Sequence, residues 1–384
     1  MTGLDRWRLA DFAPVAGLRV GLLTHPAAVS DLAGRPLATA AGLFAAHTNL
    51  VALFAPEHGA TGEAQDLVPV VAAEGARIRA VSLYGDTFDS LKPSRDHLAD
   101  LDVLVVDLVD VGSRYYTFQA TLLYCLEACA PVGLPVVVLD RPNPLGRTVE
   151  GPGVAAGFES FVGPHDICTR HGLTLGELAR LYRAERVPAV DLTVVPCDDG
   201  PVTFTLPPSP NMPTVATARV YPGMCLVEGT NLSEGRGTTR PFEYVGFPGV
   251  DPAAAADLLN HEDLPGVDFL PVTFRPTFQK HANRSCGGVM VVPRDATFRP
   301  VRTGLAVLVA CRLRLGGQFQ WRTKPYEFVA DIPAIDLLFG SDRERTAIDA
   351  GATWQDIAGA WNDEEAAFAA RRAPHLMAPG PDAR

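Results

Sequence analysis

Short runs of valine and leucine recur along the first half of the chain, and stretches with helical character separate them. The clearest runs cover residues 102–107 and 134–140, with a predicted helix at 118–130 between them. Near-continuous apolar runs of this length are typical of a parallel sheet that is covered by helices on both faces. Further strands are predicted at residues 18–24, 50–54, 79–83 and 191–195, and further helices at 38–46 and 173–185. The sequence therefore predicts an α/β domain with a Rossmann-like parallel sheet.

The turn after the first predicted strand argues against a nucleotide site in this domain. It reads Thr24-His25-Pro26-Ala27-Ala28, without the G-x-G-x-x-G fingerprint, and no G-x-x-x-x-G-K-[ST] loop occurs anywhere in the chain. These glycine patterns let the backbone approach the phosphates of a nucleotide closely. We therefore expect a Rossmann-like domain that binds no cofactor.

A proline-rich stretch at residues 201–213 is the predicted connection out of this domain. The sequence beyond it is glycine-rich up to Gly249 and contains no clear apolar periodicity. Helices are then predicted at 252–259, 303–313, 332–339 and 353–371, and strands at 267–274 and 287–292. These patterns predict a Rossmann-like domain over residues 1–213 and a smaller α+β domain over residues 214–384.

Composition excludes several classes of partner. The 384 residues carry a net charge of -11, and no run of lysine or arginine stands out, which disfavours nucleic acid. No apolar run approaches the ~18 to 20 residues that span a bilayer, so no membrane insertion is expected. The seven cysteines have neither a disulfide pattern nor zinc-ligand spacing, so we expect no metal.

The N-terminus lacks a signal-peptide pattern, which predicts a cytoplasmic location unless the N-terminus has been trimmed. The oligomeric state is left open.

The segment from residue 54 to residue 63 is the strongest candidate for a functional site. It follows a predicted strand and contains Glu57, His58 and Glu63 together with two glycines. Ligands bind at the carboxyl ends of the strands in open α/β sheets, and glycines permit a close approach of the backbone to a ligand. The pattern predicts a binding or catalytic loop in preference to a merely solvated one.

Two further polar clusters follow predicted strands of the same sheet. The first suits a polyol or carboxylate ligand and consists of Asp110, Arg114, Tyr115 and Tyr116. The second is held by prolines and presents Asp140, Arg141 and Asn143, whose groups can bind sugar hydroxyls, an acetamido group or a carboxylate. Some of these side chains could instead pair with one another in purely structural contacts.

Polar residues also gather at two places outside these strand ends. His171 directly precedes a predicted helix, where it could cap the helix as well as contact a ligand. Residues 227–242 combine Glu228, Asn231, Glu234 and Arg236 with three glycines. Such polar density cannot form a core element, and the flanking turn and proline predict an ordered loop.

Taken together, these segments resemble the family once labelled DUF1343, whose characterised members are exo-β-N-acetylmuramidases of the NamZ type. The resemblance extends from about Gly17 to the C-terminal helices. Its motifs are PEHG at 56–59, SLYG at 82–85, residues 107–116, residues 139–146, HGLT at 171–174, SPNMP at 209–213, residues 228–242 and residues 274–281. The chain departs from the family pattern at Val109, where glutamine is usual, and at Arg147, where a second glycine is usual.

The resemblance implies a two-domain glycoside hydrolase with a cleft between its domains. Such an enzyme would release N-acetylmuramic acid from the non-reducing end of peptidoglycan fragments of the MurNAc-GlcNAc type, without a metal. Glycoside hydrolysis needs a carboxylic acid that protonates the leaving oxygen, and usually a second carboxylate. We predict Glu57 as the acid. For the second role Glu63, Asp110, Glu228 and Glu234 all qualify, and the acetamido oxygen of the substrate could act instead.

The lactyl carboxylate of muramic acid needs a cation, for which Arg114, Arg141 and Arg236 are candidates. The remaining predicted substrate contacts are His58, Tyr115, Tyr116, Asp140, Asn143, His171 and Asn231. A muropeptide-binding protein without turnover is the alternative. An acyl hydrolase is disfavoured because no G-x-S-x-G elbow occurs.

Overall fold

The computed structural model of the chain describes residues 1–57, 59 and 78–377. A parallel sheet of six strands forms the centre of the first half. The strands up to residue 195 are β1 (Arg19–Thr24), β2 (Val29–Ser30), β3 (Ala38–Thr39), β4 (Asn49–Ala55), β5 (Arg79–Ser82), β6 (Val103–Asp107), β7 (Val136–Leu139) and β8 (Leu192–Val195). The predicted strands of the sheet are confirmed to within about two residues at each end.

The order of strands across this sheet is β5-β4-β1-β6-β7-β8, while β2 and β3 form a separate two-stranded ribbon. All the pairings within the sheet are parallel. This is the strand order of doubly wound Rossmann folds, in which the order reverses between the first strand and the fourth. The reversal lies here between β1 and β6, and ligands bind outside the carboxyl ends of such a pair of strands.

The first half contains the helices α1 (Gly3–Leu9), α2 (Ala40–His47), α3 (Arg95–Leu98), α4 (Phe118–Cys129) and α5 (Leu175–Glu185). Three of them, α2, α4 and α5, lie where the sequence predicts them, and two short helices, α1 and α3, were not predicted. Thr174 caps α5 as predicted, because its hydroxyl accepts the amide hydrogen of Glu177 while the Glu177 carboxylate accepts the Thr174 amide hydrogen. The Asp140 carboxylate accepts from the Thr174 hydroxyl at 2.7 Å and from the Gly176 amide at 2.7 Å. Burial raises the pKa of Asp140 to about 6.

The second half contains an antiparallel sheet and seven helices within the described part of the chain. Its strands β9 (Tyr244–Phe247), β10 (Val267–Phe274) and β11 (Cys286–Pro293) pair in the order β10-β11-β9. The helices are α6 (Val215–Met224), α7 (Pro252–Asn260), α8 (Pro300–Leu315), α9 (Ala334–Phe339), α10 (Arg343–Asp349), α11 (Trp354–Gly359) and α12 (Asn362–Arg372). The expected α+β architecture is therefore confirmed.

One predicted helix of the second half is wrong in its extent. The sequence pattern predicts a single helix over residues 353–371, whereas α11 ends at Gly359 and α12 begins at Asn362. Trp361 lies between them, is fully buried, and packs its ring 6.3 Å from that of Phe339. Burial of this indole redirects the chain between the two helices.

The two halves share one apolar core. A single cluster of buried side chains extends from Leu23 in β1 to Phe368 in α12, and a second cluster lies under α1 and α2. All seven cysteines are free thiols, and six of them are buried. Among the described helices, none is both long enough and apolar enough to cross a lipid bilayer.

Candidate active site

A cleft opens at the carboxyl edge of the six-stranded sheet. Glu57 comes two residues after β4, and Thr117 precedes α4 in the segment that follows β6. Because β1 lies between β4 and β6, the two segments meet across the end of β1. The Thr117 hydroxyl donates to the Glu57 carboxylate at 2.6 Å, and Glu57 is only 6% exposed. The fold therefore holds a buried carboxyl group in a defined orientation where ligands of such sheets bind.

Both halves of the chain contribute to the lining of this cleft, which encloses about 500 Å³ including solvent at its mouth. The lining is formed by Glu57, Tyr115, Tyr116, Thr117, Val162, Ser209, Asn211, Met212, Tyr221, Glu228, Arg236, Phe242, Tyr326 and Glu327. Five of these side chains are phenylalanine or tyrosine, which suit the apolar faces of a sugar ring.

The aromatic side chains form one wall of the cleft. The Tyr116 ring lies edge-on to that of Tyr221 at 5.9 Å, and Tyr221 lies edge-on to Phe242 at 4.8 Å. Tyr115 also packs edge-on against Tyr221 and donates its hydroxyl hydrogen to the carbonyl of Pro222. This bond directs the Tyr115 hydroxyl into the second half of the chain.

Glu228 is a second carboxylate in the lining of the cleft. Its Oε1 accepts from the Arg236 guanidinium at 2.6 Å, and its Oε2 accepts from the Tyr326 hydroxyl at 3.0 Å. The Arg236 guanidinium lies 5.1 Å from the centre of the Phe242 ring. Two donors directed at one carboxylate stabilise its negative charge.

Glu234 lies behind this pair and does not line the cleft. Its Oε2 accepts from the Lys280 ammonium at 2.9 Å, and its Oε1 lies 3.6 Å from Arg236 Nε. Burial alone would raise the pKa of Glu234, but Lys280 and Arg236 together hold this pKa below its usual value. Glu234 therefore helps to position Arg236 from outside the cavity.

Asp110 and His171 form a buried pair that also lies outside the cavity lining. His171 Nε2 is 3.8 Å from Asp110 Oδ2, and His171 Nδ1 accepts the amide hydrogen of Leu173. Burial raises the pKa of Asp110 to about 7, although bonds from the Gly112 and Val111 amides oppose this shift. Burial, together with the charge of Arg372, lowers the pKa of His171 to about 3. The imidazole is therefore neutral at pH 7.

Arg114 is placed differently from the predicted substrate-binding role. Its side chain is fully buried, and its guanidinium donates to the carbonyls of Pro152, Gly153, Ile167 and Leu338. Burial lowers the pKa of Arg114. This arginine joins backbone segments of the two halves and does not line the cleft, which does not fit a contact with a substrate carboxylate.

Four other predicted contacts also lie outside the lining of the cleft. Arg141 donates to the Asp107 carboxylate and to the carbonyl of Val29, while Asp140 binds Thr174 and Gly176 as described above. Asn143 donates to the carbonyl of Leu173 at 2.8 Å, and Asn231 donates to that of Gln318 at 2.8 Å. Each of these side chains fixes the conformation of a loop.

His58 and Glu63 lie outside the described residues, so their predicted roles stay predictions. Of the predicted site residues, the structure brings Glu57, Tyr115, Tyr116, Glu228 and Arg236 together in the cleft lining.

Several residues of the lining were not assigned to the site from the sequence. Thr117 ends the polar segment that follows β6 but was given no role, and Ser209 and Asn211 belong to the proline-rich stretch that was interpreted as a connection. Tyr326 and Glu327 lie about a hundred residues beyond Glu228 and belong to none of the polar clusters recognised in the sequence. In the part of the chain that the structure describes, no group of three His, Cys, Asp or Glu side chains could hold a metal ion.

Fold and site together define a class: an α/β protein of Rossmann topology without the nucleotide loop, whose cleft presents carboxylates beside an aromatic wall. Residues 20–216 match the family model for the N-terminal part of the exo-β-N-acetylmuramidase NamZ, and residues 219–377 match the model for its C-terminal part. The chain therefore belongs to the NamZ family.

Individual relatives agree with this assignment. The chain is 38% identical to the peptidoglycan β-N-acetylmuramidase NamZ of Bacillus subtilis (strain 168), over 98% of this chain and 91% of the relative. Two crystal structures of DUF1343 family proteins from Bacteroides fragilis NCTC 9343 are also similar. One has a TM-score of 0.85 at 28% identity and covers 98% of both chains. The other has a TM-score of 0.73 at 27% identity and covers 99% of both chains.

Proposed function

We propose that this chain is an exo-acting β-N-acetylmuramidase that releases N-acetylmuramic acid from the non-reducing end of peptidoglycan fragments. The observation that carries the proposal is the buried carboxyl group of Glu57, which Thr117 orients at 2.6 Å in a cleft that also presents Glu228. Glycoside hydrolysis uses such a pair of carboxyl groups. Membership of the NamZ family supports the same reaction.

In this mechanism Glu57 is the general acid and donates its proton to the glycosidic oxygen as the bond to the leaving sugar breaks. A proton transfer of this kind needs a fixed donor direction, and the Thr117 hydroxyl supplies it by holding one carboxyl oxygen. The aromatic side chains of the lining offer apolar contacts to the sugar ring beside these carboxyl groups.

Glu228 is the best supported candidate for the second carboxylate. It lines the cleft, whereas Asp110 and Glu234 do not, and Glu63 lies outside the described residues. A negative charge held there by Arg236 and Tyr326 suits the stabilisation of an oxocarbenium-like transition state, or the orientation of the substrate's acetamido group.

Arg236 is likewise the one of the three candidate arginines that lines the cleft. Its guanidinium donates to Glu228 and lies beside Glu234, and the planar guanidinium of arginine suits the two oxygens of a carboxylate. We assign to it the contact with the lactyl carboxylate that distinguishes N-acetylmuramic acid from N-acetylglucosamine.

The test is to incubate the purified protein with MurNAc-GlcNAc and, separately, with GlcNAc-MurNAc, and to follow the release of monosaccharides with and without a chelator. We expect N-acetylmuramic acid to be released from the first disaccharide only, at the same rate with the chelator. Binding of MurNAc-GlcNAc without release would instead support a muropeptide-binding protein. The cytoplasmic location also remains a proposal, which fractionation of the producing cells tests.

A further inference from the structure

A tight turn of the second half places the carboxylate of Glu327 in the lining of the cleft, and this carboxylate has no role in the proposed mechanism. The amide of Tyr326 donates to the carbonyl of Val329 at 2.9 Å, and the amide of Val329 donates back to the carbonyl of Tyr326 at 3.0 Å. Glu327 and Phe328 are the two residues between them. This is the geometry of a two-residue hairpin loop.

The backbone of this turn is strained. Glu327 has φ 47° and Phe328 has φ 68°, so two consecutive residues with side chains adopt the left-handed conformation. Hairpin turns with positive φ at both central positions strongly prefer asparagine, aspartate and glycine, because a Cβ atom crowds the backbone there. Glutamate and phenylalanine are therefore poor choices for the turn itself.

The surroundings hold the turn in place against this strain. The Phe328 ring packs 5.8 Å from the Tyr84 ring and 6.5 Å from the Phe161 ring. The Tyr326 hydroxyl donates to Glu228 at 3.0 Å. Strained residues persist only where neighbouring structure determines their conformation, and they concentrate at functional sites.

The side chain at the strained position faces the cleft. Glu327 is 5% exposed and belongs to the cleft lining together with Glu57 and Glu228. The Tyr84 hydroxyl, at the carboxyl edge of the six-stranded sheet, lies 3.4 Å from Glu327 Oε2. An apolar side chain could fill this space without the cost of removing a carboxylate from water, and a glycine would relieve the strain. The hydrogen bond from Tyr84 ties this carboxylate to the sheet edge, yet its burial and the strained turn make glutamate a costly choice for the fold.

We propose that Glu327 is a substrate-binding residue of the cleft, which accepts a hydrogen bond from a hydroxyl or the acetamido N–H of the bound sugar. Carboxylate oxygens accept strongly from such donors. The inference rests on the proposed function, since it names a further contact to the same amino sugar. This role also explains the strained turn. The turn belongs to the second half of the chain and places the Glu327 carboxylate beside the carboxyl edge of the sheet in the first half.

The test uses two variants of the full chain, Glu327→Gln and Glu327→Gly, with Asp263→Gly as the matched control. Asp263 is exposed and has φ 50°, so glycine there relieves a similar strain away from the cleft. For each protein the melting temperature, kcat and KM for MurNAc-GlcNAc, and the affinity for N-acetylmuramic acid by calorimetry are measured.

We expect Glu327→Gly to lower kcat/KM at least about 20-fold, the loss typical of a hydrogen bond to a charged group. Glu327→Gln keeps a neutral acceptor oxygen and should lower kcat/KM by about fivefold. The melting temperature of Glu327→Gly should equal or exceed that of the parent protein, and Asp263→Gly should keep full activity. Activity within about threefold of the parent in both Glu327 variants would overturn the inference, as would a loss of activity that only follows a loss of folded protein. If the parent protein releases no sugar, the proposed function fails. The calorimetric affinities then decide the inference separately: it stands if the Glu327 variants bind N-acetylmuramic acid more weakly than the parent, and falls if they bind it equally.

Discussion

At the scale of single residues, the position of Glu57 leads to the most direct experiment. Glu57→Gln keeps the size of the side chain and an oxygen that can accept from Thr117, but it cannot donate a proton as a carboxylic acid does. We expect kcat to fall by about 10² to 10⁴, the range for loss of a general acid, with little change in affinity for the disaccharide. Single-turnover kinetics and calorimetry measure the two effects. The control is Glu159→Gln at an exposed loop position, which should leave kcat unchanged.

Asp110 gives a prediction about stability. Because the folded-state pKa of Asp110 is about 7, above its usual 3.8, ionisation of this group destabilises the folded protein. The penalty is absent below pH 4, develops as the pH rises from about 4 to 7, and is complete above that range. Asp110→Asn should therefore gain stability relative to the parent over this interval.

Urea unfolding at pH 4, 5.5 and 7.5 checks the Asp110 prediction. The free energy of unfolding should differ least between variant and parent at pH 4 and most at pH 7.5. Asp257→Asn, at an exposed position on α7, is the control and should show no such trend. A difference that stays constant with pH would contradict the prediction.

At the scale of elements, most of the fold could be predicted because its pattern is local. The strand β6 begins with four consecutive apolar residues and ends at Asp107, and all five of its residues are buried. Several elements escaped prediction, and for two of them, α6 and β9, the physical reason is plain. Pro222 lies inside α6 and, with Gly223, reads as a turn, while β9 has only four residues and includes Gly246. Proline and glycine punctuate sequences strongly, and here tertiary packing overrides that signal.

The site was less predictable than the fold. Glu57 and Glu228 could be recognised because each lies in a dense polar segment of the sequence. Arg114 also lies in a dense polar segment, yet its guanidinium donates to backbone carbonyls. A buried guanidinium needs hydrogen-bond acceptors, and backbone carbonyls serve as well as a ligand does. No pattern in the sequence indicates that Glu327 belongs to the site, because its location depends on how a distant hairpin packs against Tyr84. Proximity between residues so far apart in sequence is a property of the assembled fold.

The helix cap at the start of α5 should contribute more to the stability of the protein than an exposed cap does. Thr174→Ala removes the hydroxyl that caps the helix and also a hydrogen bond to the buried Asp140 carboxylate. We expect a loss of about 2 kcal/mol in the free energy of unfolding, at the upper end for a helix cap. Thr353→Ala at the start of α11 removes a cap that is exposed, and it should cost about 1 kcal/mol. Equal losses in the two variants, measured by urea titration, would show that the contact with Asp140 contributes nothing.

At the scale of the whole molecule, the shared core links the two halves energetically. One cluster of buried side chains extends through both, and Arg114 bonds backbone segments of each. We therefore expect a single cooperative unfolding transition despite the two predicted domains, whose boundary at residue 213 stays a prediction. Differential scanning calorimetry should give equal calorimetric and van't Hoff enthalpies. Two resolved transitions would show that the halves unfold independently.

The shared cleft has a consequence for the protein during its synthesis. Chains emerge from the ribosome N-terminus first, and their early segments begin to fold before the rest is made. A nascent chain that has emerged as far as Pro213 already contains Glu57, Thr117 and the whole parallel sheet, but neither Glu228 nor Tyr326. A translation product that stops there cannot assemble the carboxylate pair, so premature termination yields a fragment without a working site.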